Sequence, residues 1–440
     1  MNRFLYTLTL RLLSPGLIAW MAFRARKSGG QWQIVSKERF GKYLEVARHK
    51  NPIWIHAVSL GETRGVQPLV QALLDQGEQI LLTHITATGR AEGARAFASA
   101  IKSGQLVQQW LPYDFPGATL RFFKHYNPKV GVLMEREVWP NLIASAKRAH
   151  IPIVLASARF SDNALRQSLR LGKVMREAYG SFYAVYAQTL QDAQRLEQAG
   201  ARAPRVSGNF KFDVSLPDIQ IHHGREFNDL LGRKVIVIAS TREGEDEPFV
   251  KAIEKLVHRA DLQGKDLSED YLFCLVPRHP QRFESAAELL ESSGLPFIRR
   301  SYMIKKCERS SAIAARLCEG KLVLLGDTLG EMPRFYAASQ VAIIGGSFAP
   351  LGGQNFIEAC AIGVPVIVGP HTRNFEQAVM DALDEGAAIR ASTAEDAIQQ
   401  AIKMLDDPQR LARMSEAGYH WVQKHRGAVA RVITTLNKIA

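Results

Sequence analysis

The sequence predicts an α/β protein with two doubly wound domains, each built on a parallel sheet covered by helices. From residue 53 onward, apolar runs of five or six residues alternate with amphipathic stretches of about 10–15 residues, which is the pattern of successive βαβ units. The alternation pauses at 214–232, a polar stretch without a clear period, and then resumes. Because 440 residues exceed what one hydrophobic core supports, we predict a linker there.

Four segments follow from this pattern. They are an N-terminal membrane-anchoring segment at 1–27, a Rossmann-like domain at 28–213, the linker at 214–232 and a second Rossmann-like domain at 233–440, which ends in helices from about residue 393. The predicted strands are 53–58, 79–83, 130–134, 152–156, 234–239, 271–276, 321–325, 341–345 and 364–368. Since ligands of such sheets bind beyond the carboxyl ends of the strands, we expect a site in a central cleft that both domains face.

The first 27 residues predict a helix that lies at a membrane surface. Only twelve uncharged residues separate Arg11 from Arg24, fewer than the roughly 20 that a spanning helix needs. Basic residues follow the apolar run, where a signal peptide would have a small-residue cleavage site. Residues 1–50 also carry ten Lys or Arg against two acids, more than half of the net charge of +13. We therefore expect monotopic or peripheral attachment to an anionic membrane, with a buried helix of a globular domain as the alternative.

Composition and missing motifs exclude several classes of protein. Hydrophobic residues make up 46% and charged residues 22%, which excludes a disordered chain. The four cysteines lack C-x-x-C spacing, which disfavours a disulfide framework or a structural zinc site. No P-loop, G-x-G-x-x-G, G-x-S-x-G or D-x-D motif occurs, so we expect no cofactor and no metal. The basic excess would also suit nucleic acid, but no nucleic-acid module is recognisable and we expect no such partner.

Two acidic residues follow predicted strands of the first domain. Glu62 comes after the strand 53–58, near the start of a helix, and Glu135 follows the strand 130–134. A carboxylate at the carboxyl end of a strand can take a proton from a hydroxyl nucleophile, and a helix N-terminus favours its ionised form. Glu62 is therefore a candidate general base and Glu135 a second acid or an orienting group. The alternatives are that Glu62 only offsets the helix dipole and that Glu135 is a solvated loop charge.

Three loops around the start of the second domain carry groups that suit an anionic ligand. They contain Lys211, before the linker; Ser240, Arg242 and Glu243, after the strand 234–239; and Arg278 and His279, after the strand 271–276. An arginine such as Arg278 can bind phosphate with two parallel hydrogen bonds. A single basic loop residue is usually solvated, but three in successive loops predict an anion site.

A glycine-rich segment follows the strand 341–345. It contains Gly345, Gly346 and Ser347, and then Gly352, Gly353, Asn355 and Glu358. Glycines at the start of a helix let phosphate approach the backbone N–H groups, and a carboxylate three residues after Asn355 shares its helix face, where it can accept hydrogen bonds from ribose. The pattern indicates a nucleotide site, with ordinary helix capping as the alternative.

Taken together, these segments resemble the 3-deoxy-D-manno-octulosonic acid (Kdo) transferases of lipopolysaccharide synthesis, which are two-domain GT-B glycosyltransferases. The matching segments, in the order of that family, are 54–62, 134–141, 208–213, 240–245, 277–283, 326–331, 345–347, 352–358 and 369–372. The glycine-rich segment alone would indicate only the superfamily, whereas the full set is specific.

The resemblance implies an inverting, metal-independent transfer of Kdo from CMP-Kdo to a lipid A precursor (lipid IVA) at the cytoplasmic face of the inner membrane. It implies that Glu62 is the general base and Glu135 a functional acid of the acceptor half. Arg278, the 345–347 loop, Asn355 and Glu358 would hold CMP, and Lys211 would face the negative charges of the donor. We also expect Ser240, Glu243 and His279 in the donor-binding segments.

Three positions depart from the family pattern, and two other functions stay open. Arg242 and Gln354 stand where the family commonly has His, and Phe356 where it has Pro, which leaves the contacts of these three residues undetermined. The alternatives are another GT-B sugar-nucleotide enzyme, such as a UDP-N-acetylglucosamine transferase or 2-epimerase, and a non-catalytic basic protein of the membrane surface. The sequence does not determine how many Kdo residues are added, which acyl pattern is preferred or the oligomeric state.

Overall fold

The computed structural model of the chain describes residues 1–28, 32–43, 49, 51–214, 216–307 and 310–439, without the side chains of Arg24, Lys27, Ser28 and Cys307. It divides into two compact units, Met1–Asp213 with His425–Ala440 and Val214–Lys424. Within the described residues each unit holds one parallel seven-stranded sheet. The predicted α/β class with two parallel-sheet domains is confirmed.

The sheet of the first unit reverses its strand order between its first and fourth strands. Its strands are β1 Ile53–His56, β2 Ile80–His84, β3 Leu106–Trp110, β4 Val130–Met134, β5 Ile153–Ala158, β6 Ala184–Ala187 and β7 Arg205–Val206. They are arranged in the order β3-β2-β1-β4-β5-β6-β7, and β1 pairs with β4 from Ile53↔Val130 to His56↔Leu133. Ligands of doubly wound sheets bind at such a switch point, here beyond β1 and β4.

Helices cover both faces of this sheet because successive strand residues point to opposite sides. They are α1 Arg3–Ser28, α2 Leu60–Gly65, α3 Gln67–Asp75, α4 Ala87–Ala96, α5 Ala98–Ser103, α6 Pro116–Tyr126, α7 Pro140–Arg148, α8 Asp162–Leu171, α9 Lys173–Tyr179 and α10 Leu190–Ala199, with short 3-10 helices at Glu38–Phe40 and Phe210–Phe212. Trp54 packs in the apolar layer of one face and its neighbour Ile55 in that of the other. Strands buried on both faces read as continuous apolar runs, which is why β1 and β4 were predictable.

Helix α1 is the one described helix that is long and apolar enough to cross a membrane, over Arg3–Phe23 with a mean hydropathy of 1.3. Its apolar side chains are mostly exposed; Phe4 and Leu12 are each 73% accessible. Its first turns are fixed to the first unit, because the Tyr6 hydroxyl donates to Asp114 Oδ2 at 2.9 Å and Thr7 Oγ1 to Asn141 Oδ1 at 3.1 Å. The predicted N-terminal helix is present, and its attachment to a membrane stays a prediction.

The sheet of the second unit has the same kind of reversal. Its strands are β8 Lys234–Thr241, β9 Tyr271–Pro277, β10 Phe297–Arg299, β11 Val323–Leu325, β12 Val341–Ile344, β13 Val366–Val368 and β14 Ala388–Arg390. They are arranged in the order β10-β11-β9-β8-β12-β13-β14. The order reverses between β8 and β12, which pair from Val341↔Ile236 to Ile344↔Ala239, so the second switch point lies beyond these two strands.

Eleven described helices flank this second sheet, and one more returns to the first unit. They are α11 Asp218–Leu231, α12 Asp246–Asp261, α13 Leu267–Asp270, α14 Phe283–Ser293, α15 Arg300–Cys307, α16 Ser311–Leu317, α17 Met332–Ala337, α18 Ile357–Ala361, α19 Glu376–Asp384, α20 Ala394–Leu405 and α21 Pro408–His425, followed by α22 Ala428–Ile439, with a 3-10 helix at Pro280–Arg282. The helical end predicted from about residue 393 is confirmed.

Two boundaries differ from those that the sequence predicts. Most of the stretch 214–232, expected as a linker, is helix α11, which packs on α16 and α17. Only Gly224 and Phe227 of α11 are buried, so the helix lacks the apolar stripe that reveals a helix in a sequence. Helix α22 joins the first unit, because the Asp213 carboxylate accepts the N–H groups of Gly427 and Val429 at 2.6 and 2.7 Å.

Candidate active site

Glu62 lies in the first turn of α2, directly beyond the carboxyl end of β1. Its Oε2 accepts the Val58 N–H at 2.8 Å, and its Oε1 accepts the Ser59 hydroxyl at 3.2 Å. The Ser59 Oγ in turn accepts the Glu62 N–H, so that the two residues cap the helix reciprocally. The half-buried carboxylate is thereby fixed at the end of the strand.

Neighbouring elements hold this turn in place. The Arg64 Nε donates to the buried Glu92 Oε1 of α4 at 3.0 Å. The Thr86 hydroxyl donates to the Val58 carbonyl at 2.8 Å. A side chain at Gly89 of α4 would put its Cβ 2.9 Å from that same carbonyl oxygen, so glycine is needed for this close approach.

Glu135 and Glu137 follow β4, the strand beside β1, and with Glu62 they form an acidic cluster. Glu135 has a φ of 52°, in the left-handed region that residues other than glycine rarely adopt. Such backbone strain concentrates at functional sites. Glu137 Oε2 accepts the Trp139 indole N–H at 3.0 Å. Glu137 is a further member of this cluster that the sequence alone does not indicate, because only the fold brings its charge towards Glu62.

The electrostatics of this cluster favour a protonated Glu62 at neutral pH. Burial, followed by the negative charge of Glu137, raises the pKa of Glu62 to about 8. The charge of Glu135 raises that pKa further, whereas the hydrogen bonds from Val58 and Ser59 oppose the rise. Burial likewise raises the pKa of Glu137. A carboxyl group that titrates near neutral pH is a candidate acid–base catalyst.

Lys211 belongs to the first unit and interacts with the acidic cluster. Its backbone N–H donates to Asn209 Oδ1 at 3.0 Å, and Asn209 is bonded to Gln188 at 3.2 Å. Burial lowers the pKa of the Lys211 ammonium group, and the charge of Glu135 opposes that effect. The structure therefore brings Lys211 together with Glu135, and its predicted contact with the donor stays a prediction.

At the second switch point, the carboxylate of Glu245 joins two loops. The loop after β8 donates the Arg242 N–H to Glu245 Oε2 at 2.7 Å. The loop after β12 donates the Gly346 N–H to Oε2 at 2.6 Å and the N–H groups of Phe348 and Ala349 to Oε1 at 2.9 and 3.0 Å. Glu245 is 1% exposed, so the carboxylate is an internal anion for these N–H groups. No motif in the sequence indicates this role of Glu245.

In the 345–347 loop, groups that we expected to face a ligand therefore form hydrogen bonds within the protein. The Gly346 N–H is taken by Glu245, and the fully buried Ser347 hydroxyl accepts the Gly369 N–H at 2.8 Å. A Cβ at Gly345 would lie 2.6 Å from the Thr241 Cα, so glycine lets β12 approach β8 here. These residues shape the end of the sheet.

Arg278 and Glu358 are brought together around a buried tyrosine. Burial and the negative charge of Glu358 raise the pKa of Tyr336 far above its ordinary value, and the Arg278 guanidinium lowers it. The Tyr336 hydroxyl donates to the Asn355 carbonyl at 3.3 Å, and Asn355 Nδ2 donates to Glu358 Oε1 at 2.8 Å. Helix α18 begins at Ile357, so Asn355 contacts Glu358 from the preceding loop.

The remaining predicted residues of this unit differ in their exposure and in their contacts. The half-buried Ser240 has a φ of 58° at a bulge of β8, and the half-buried His279 follows Arg278 beyond β9. The exposed Glu243 pairs with Arg242 at 3.0 Å. Phe356 is fully buried and stacks on Trp421 with ring centroids 5.6 Å apart, so its departure from the family pattern is a packing change. Gln354 is half-buried near Gly346.

Two further observations concern charged groups outside these clusters. In the 326–331 segment, Asp327 pairs with Arg299 of β10 at 2.7 Å, and Glu331 pairs with Arg300 of α15 at 2.7 Å. These ion pairs connect the segment to the two elements. Among the described residues, no group of three or more His, Cys, Asp or Glu side chains has an arrangement that could hold a metal ion.

Comparison with known proteins gives concordant matches. A family model described as 3-deoxy-D-manno-octulosonic-acid transferase (kdotransferase) matches residues 35–214, and one for glycosyl transferases group 1 matches residues 305–421. A 3-deoxy-D-manno-octulosonic acid transferase of Bordetella pertussis is 52% identical over 439 residues, 99% of each chain. One of Haemophilus influenzae is 30% identical, covering 99% of this chain and 98% of its own.

A solved structure adds a comparison at the level of the fold. The crystal structure of a glycosyltransferase from Rickettsia africae aligns with a TM-score of 0.53 at 14% sequence identity, covering 88% of this chain and 99% of that one. At this identity the likeness concerns the fold alone.

Proposed function

Since the chain belongs to the Kdo transferase family of glycosyltransferases, we propose that it moves Kdo from CMP-Kdo to a lipid A precursor in a single inverting displacement with Glu62 as general base. In this reaction Glu62 removes the proton of an acceptor hydroxyl while the hydroxyl oxygen attacks the anomeric carbon of Kdo. The bond from that carbon to the CMP phosphate breaks, and CMP leaves with the electron pair.

The observation that carries this proposal is the environment of Glu62. It stands beyond the carboxyl end of β1 at a switch point, held by two hydrogen bonds at 2.8 and 3.2 Å. Its pKa of about 8 makes it a stronger base than an ordinary carboxylate and suits proton transfer near neutral pH. Glu135 would orient the acceptor, and Lys211 would balance the negative charge of the Kdo carboxylate.

In the second unit, we assign the nucleotide to the groups around Tyr336. Arg278 would bind the phosphate of CMP, since a guanidinium offers two parallel hydrogen bonds. Glu358 and Asn355 would accept and donate hydrogen bonds at the ribose, with Ser240, Glu243 and His279 in the adjoining loops. Because Glu245 takes the N–H groups of the 345–349 loop, we assign that loop to shaping the site rather than to binding phosphate.

We also propose that α1 attaches the enzyme to the cytoplasmic face of the inner membrane. Exposed apolar residues along Arg3–Phe23 and the excess of basic residues in 1–50 support this, because apolar side chains enter the acyl region while Arg and Lys meet anionic headgroups. A lipid acceptor would be taken from the same surface.

The test is product formation by the full-length protein. It is incubated with CMP-Kdo and a tetraacyl lipid A precursor in the presence of EDTA and anionic vesicles, and the lipid is analysed by mass spectrometry. We expect the acceptor to gain one or more Kdo residues, CMP to be released in equal amount, and the activity to pellet with the vesicles. An unchanged acceptor would contradict the proposal. UDP-N-acetylglucosamine in place of CMP-Kdo is the control donor and should give no product.

A further inference from the structure

An apolar groove of about 200 Å³ lies within the first unit, between α1 and the loop that follows β3. Leu10, Ser14 and Ile18 line it from the helix, and Leu111, Tyr113 and Trp139 face them. Its volume is below the roughly 300–1,000 Å³ of sites that enclose drug-sized ligands. The space therefore suits a slender ligand rather than a sugar or a nucleotide.

The polar groups beside the groove are already bonded to protein. Asp114 accepts the N–H groups of Asn141 and Leu142 at 3.1 and 2.7 Å, as well as the Tyr6 hydroxyl. Arg39 is 1% exposed and donates to three backbone carbonyls, including that of Ile85 at 2.7 Å. Because these groups are satisfied, a polar ligand would lose its hydration without gaining partners, whereas an alkyl chain would lose nothing.

The groove adjoins the acidic cluster through one residue. Trp139 lines the groove, and its indole N–H donates to Glu137 at 3.0 Å. Glu137 in turn acts electrostatically on Glu62. A molecule with a chain in the groove would thus have its polar end next to the candidate base, which is the arrangement that an acylated acceptor needs.

The far wall of the groove is the helix that we assign to the membrane. Leu13 and Leu17 of α1 are 58% and 45% exposed, so the groove is bordered by a surface suited to lipid.

We propose that this groove binds one acyl chain of the lipid acceptor and thereby fixes the acceptor hydroxyl relative to Glu62. The inference rests on the proposed function and deepens it, since it assigns recognition of acylation to α1 and the loop 111–115. Burial of the acyl chain in this groove lowers KM for the acceptor, whereas the donor is recognised elsewhere.

The test fills the groove from the helix. Within the described part of the chain, Ser14 makes only a local hydrogen bond, from its Oγ to the Arg11 carbonyl at 2.8 Å, so Ser14→Phe adds bulk without removing a tertiary hydrogen bond seen there. Thr9→Phe adds the same side chain to an exposed position of α1 outside the groove and is the matched control. Each variant is assayed with CMP-Kdo and either the tetraacyl precursor or its fully deacylated form, which lacks both ester- and amide-linked chains.

We expect Ser14→Phe to raise KM for the tetraacyl acceptor at least tenfold, because each methylene that loses its apolar surroundings weakens binding about fourfold. KM for CMP-Kdo and for the fully deacylated acceptor should stay within about twofold of the wild type, as should all parameters of Thr9→Phe. An equal rise for both acceptors, or no rise, would overturn the inference. No transfer by the wild type to either acceptor would instead refute the proposed function.

A labelling experiment with the wild type avoids dependence on the variant. A precursor with a diazirine at the end of one acyl chain is photolysed with the full-length protein, and the labelled peptides are sequenced. We expect labels on residues 10–21 and 111–115. Labels on other peptides would overturn the assignment to the acceptor. So would labelling that falls in proportion to the amount of phospholipid added as vesicles.

Discussion

Glu62 has a structural role as a helix cap, and we propose a chemical role for it in the same turn. The bonds to Val58 and Ser59 make it a helix cap, which by itself would lower its pKa. Burial and the charges of Glu137 and Glu135 outweigh those bonds, so the pKa rises to about 8. The cap therefore fixes the geometry of the carboxylate, and the acidic neighbours set its basicity.

The raised pKa has a consequence for stability. The folded chain binds the Glu62 proton more tightly than the unfolded chain does, so this group stabilises the fold fully below its ordinary pKa of 4.5, and that contribution is lost as pH rises through about 8. Glu62→Gln keeps an acceptor for the Val58 N–H and carries no charge. We expect its Tm to exceed that of the wild type by a few degrees at about pH 9 and by much less at about pH 5.

Thermal melts at both pH values check this prediction. Glu177→Gln, which replaces an exposed glutamate of the same unit (57% accessible), is the matched control for the loss of one negative charge. A difference between Glu62→Gln and the wild type that is constant with pH, or that is larger at the acidic end, would show that the Glu62 pKa is not raised.

Among the elements, the loops after β8 and β12 depend on a single buried carboxylate. Glu245→Gln would set an amide N–H₂ against two N–H donors, those of Arg242 and Gly346. Each buried donor without a partner costs about 1–3 kcal/mol, so we expect a loss of about 2–6 kcal/mol, or roughly 5–25 °C in Tm. The stabilisation of the protein by added CMP should also shrink, because the loops that flank the nucleotide lose their shape.

Thermal melts with and without CMP measure both effects. Glu247→Gln is the control, since Glu247 is two residues away but exposed and paired with Lys251. If Glu245→Gln melted like the wild type and responded equally to CMP, the carboxylate would not be what joins the two loops.

The sequence predicts the elements unevenly, for physical reasons. Central strands such as β1 and β8 are buried on both faces and read as apolar runs. Strands β3, β6, β7, β10 and β14 were not predicted. β7 has two residues, both exposed, β10 and β14 are three residues long with one buried residue each, and β3 carries Gln108 and Gln109. Such short or polar strands form because a neighbouring strand supplies their hydrogen bonds, which no local pattern records.

The site shows the same limit. Glu62 and Glu135 could be predicted, because each follows a recognisable strand and the carboxyl ends of parallel strands share one edge. The role of Glu245 could not, since its partners Gly346 and Ala349 lie about a hundred positions away. Nor could the partners of the Ser347 hydroxyl, because a serine in a glycine-rich loop suits a ligand and a buried contact equally.

At the scale of the whole molecule, each unit has its candidate functional residues at a switch point. The first unit offers the acidic cluster beyond β1 and β4, and the second the loops beyond β8 and β12. We therefore assign the base and, through α1, a lipid-facing surface to the first unit, and the groups for a nucleotide to the second. This division matches the two substrates of a glycosyl transfer, one acceptor and one donor.

The central claim is that the Glu62 carboxylate removes the proton of the acceptor, and the pH dependence of kcat/KM tests it most directly. The base must be ionised, so activity should rise with pH and level off above an apparent pKa near 8. Glu62→Gln should reduce kcat/KM by roughly 10²–10⁴-fold and abolish this pH dependence. If Glu62→Gln retained near wild-type turnover, or kept the same rise with pH, another group would be the base.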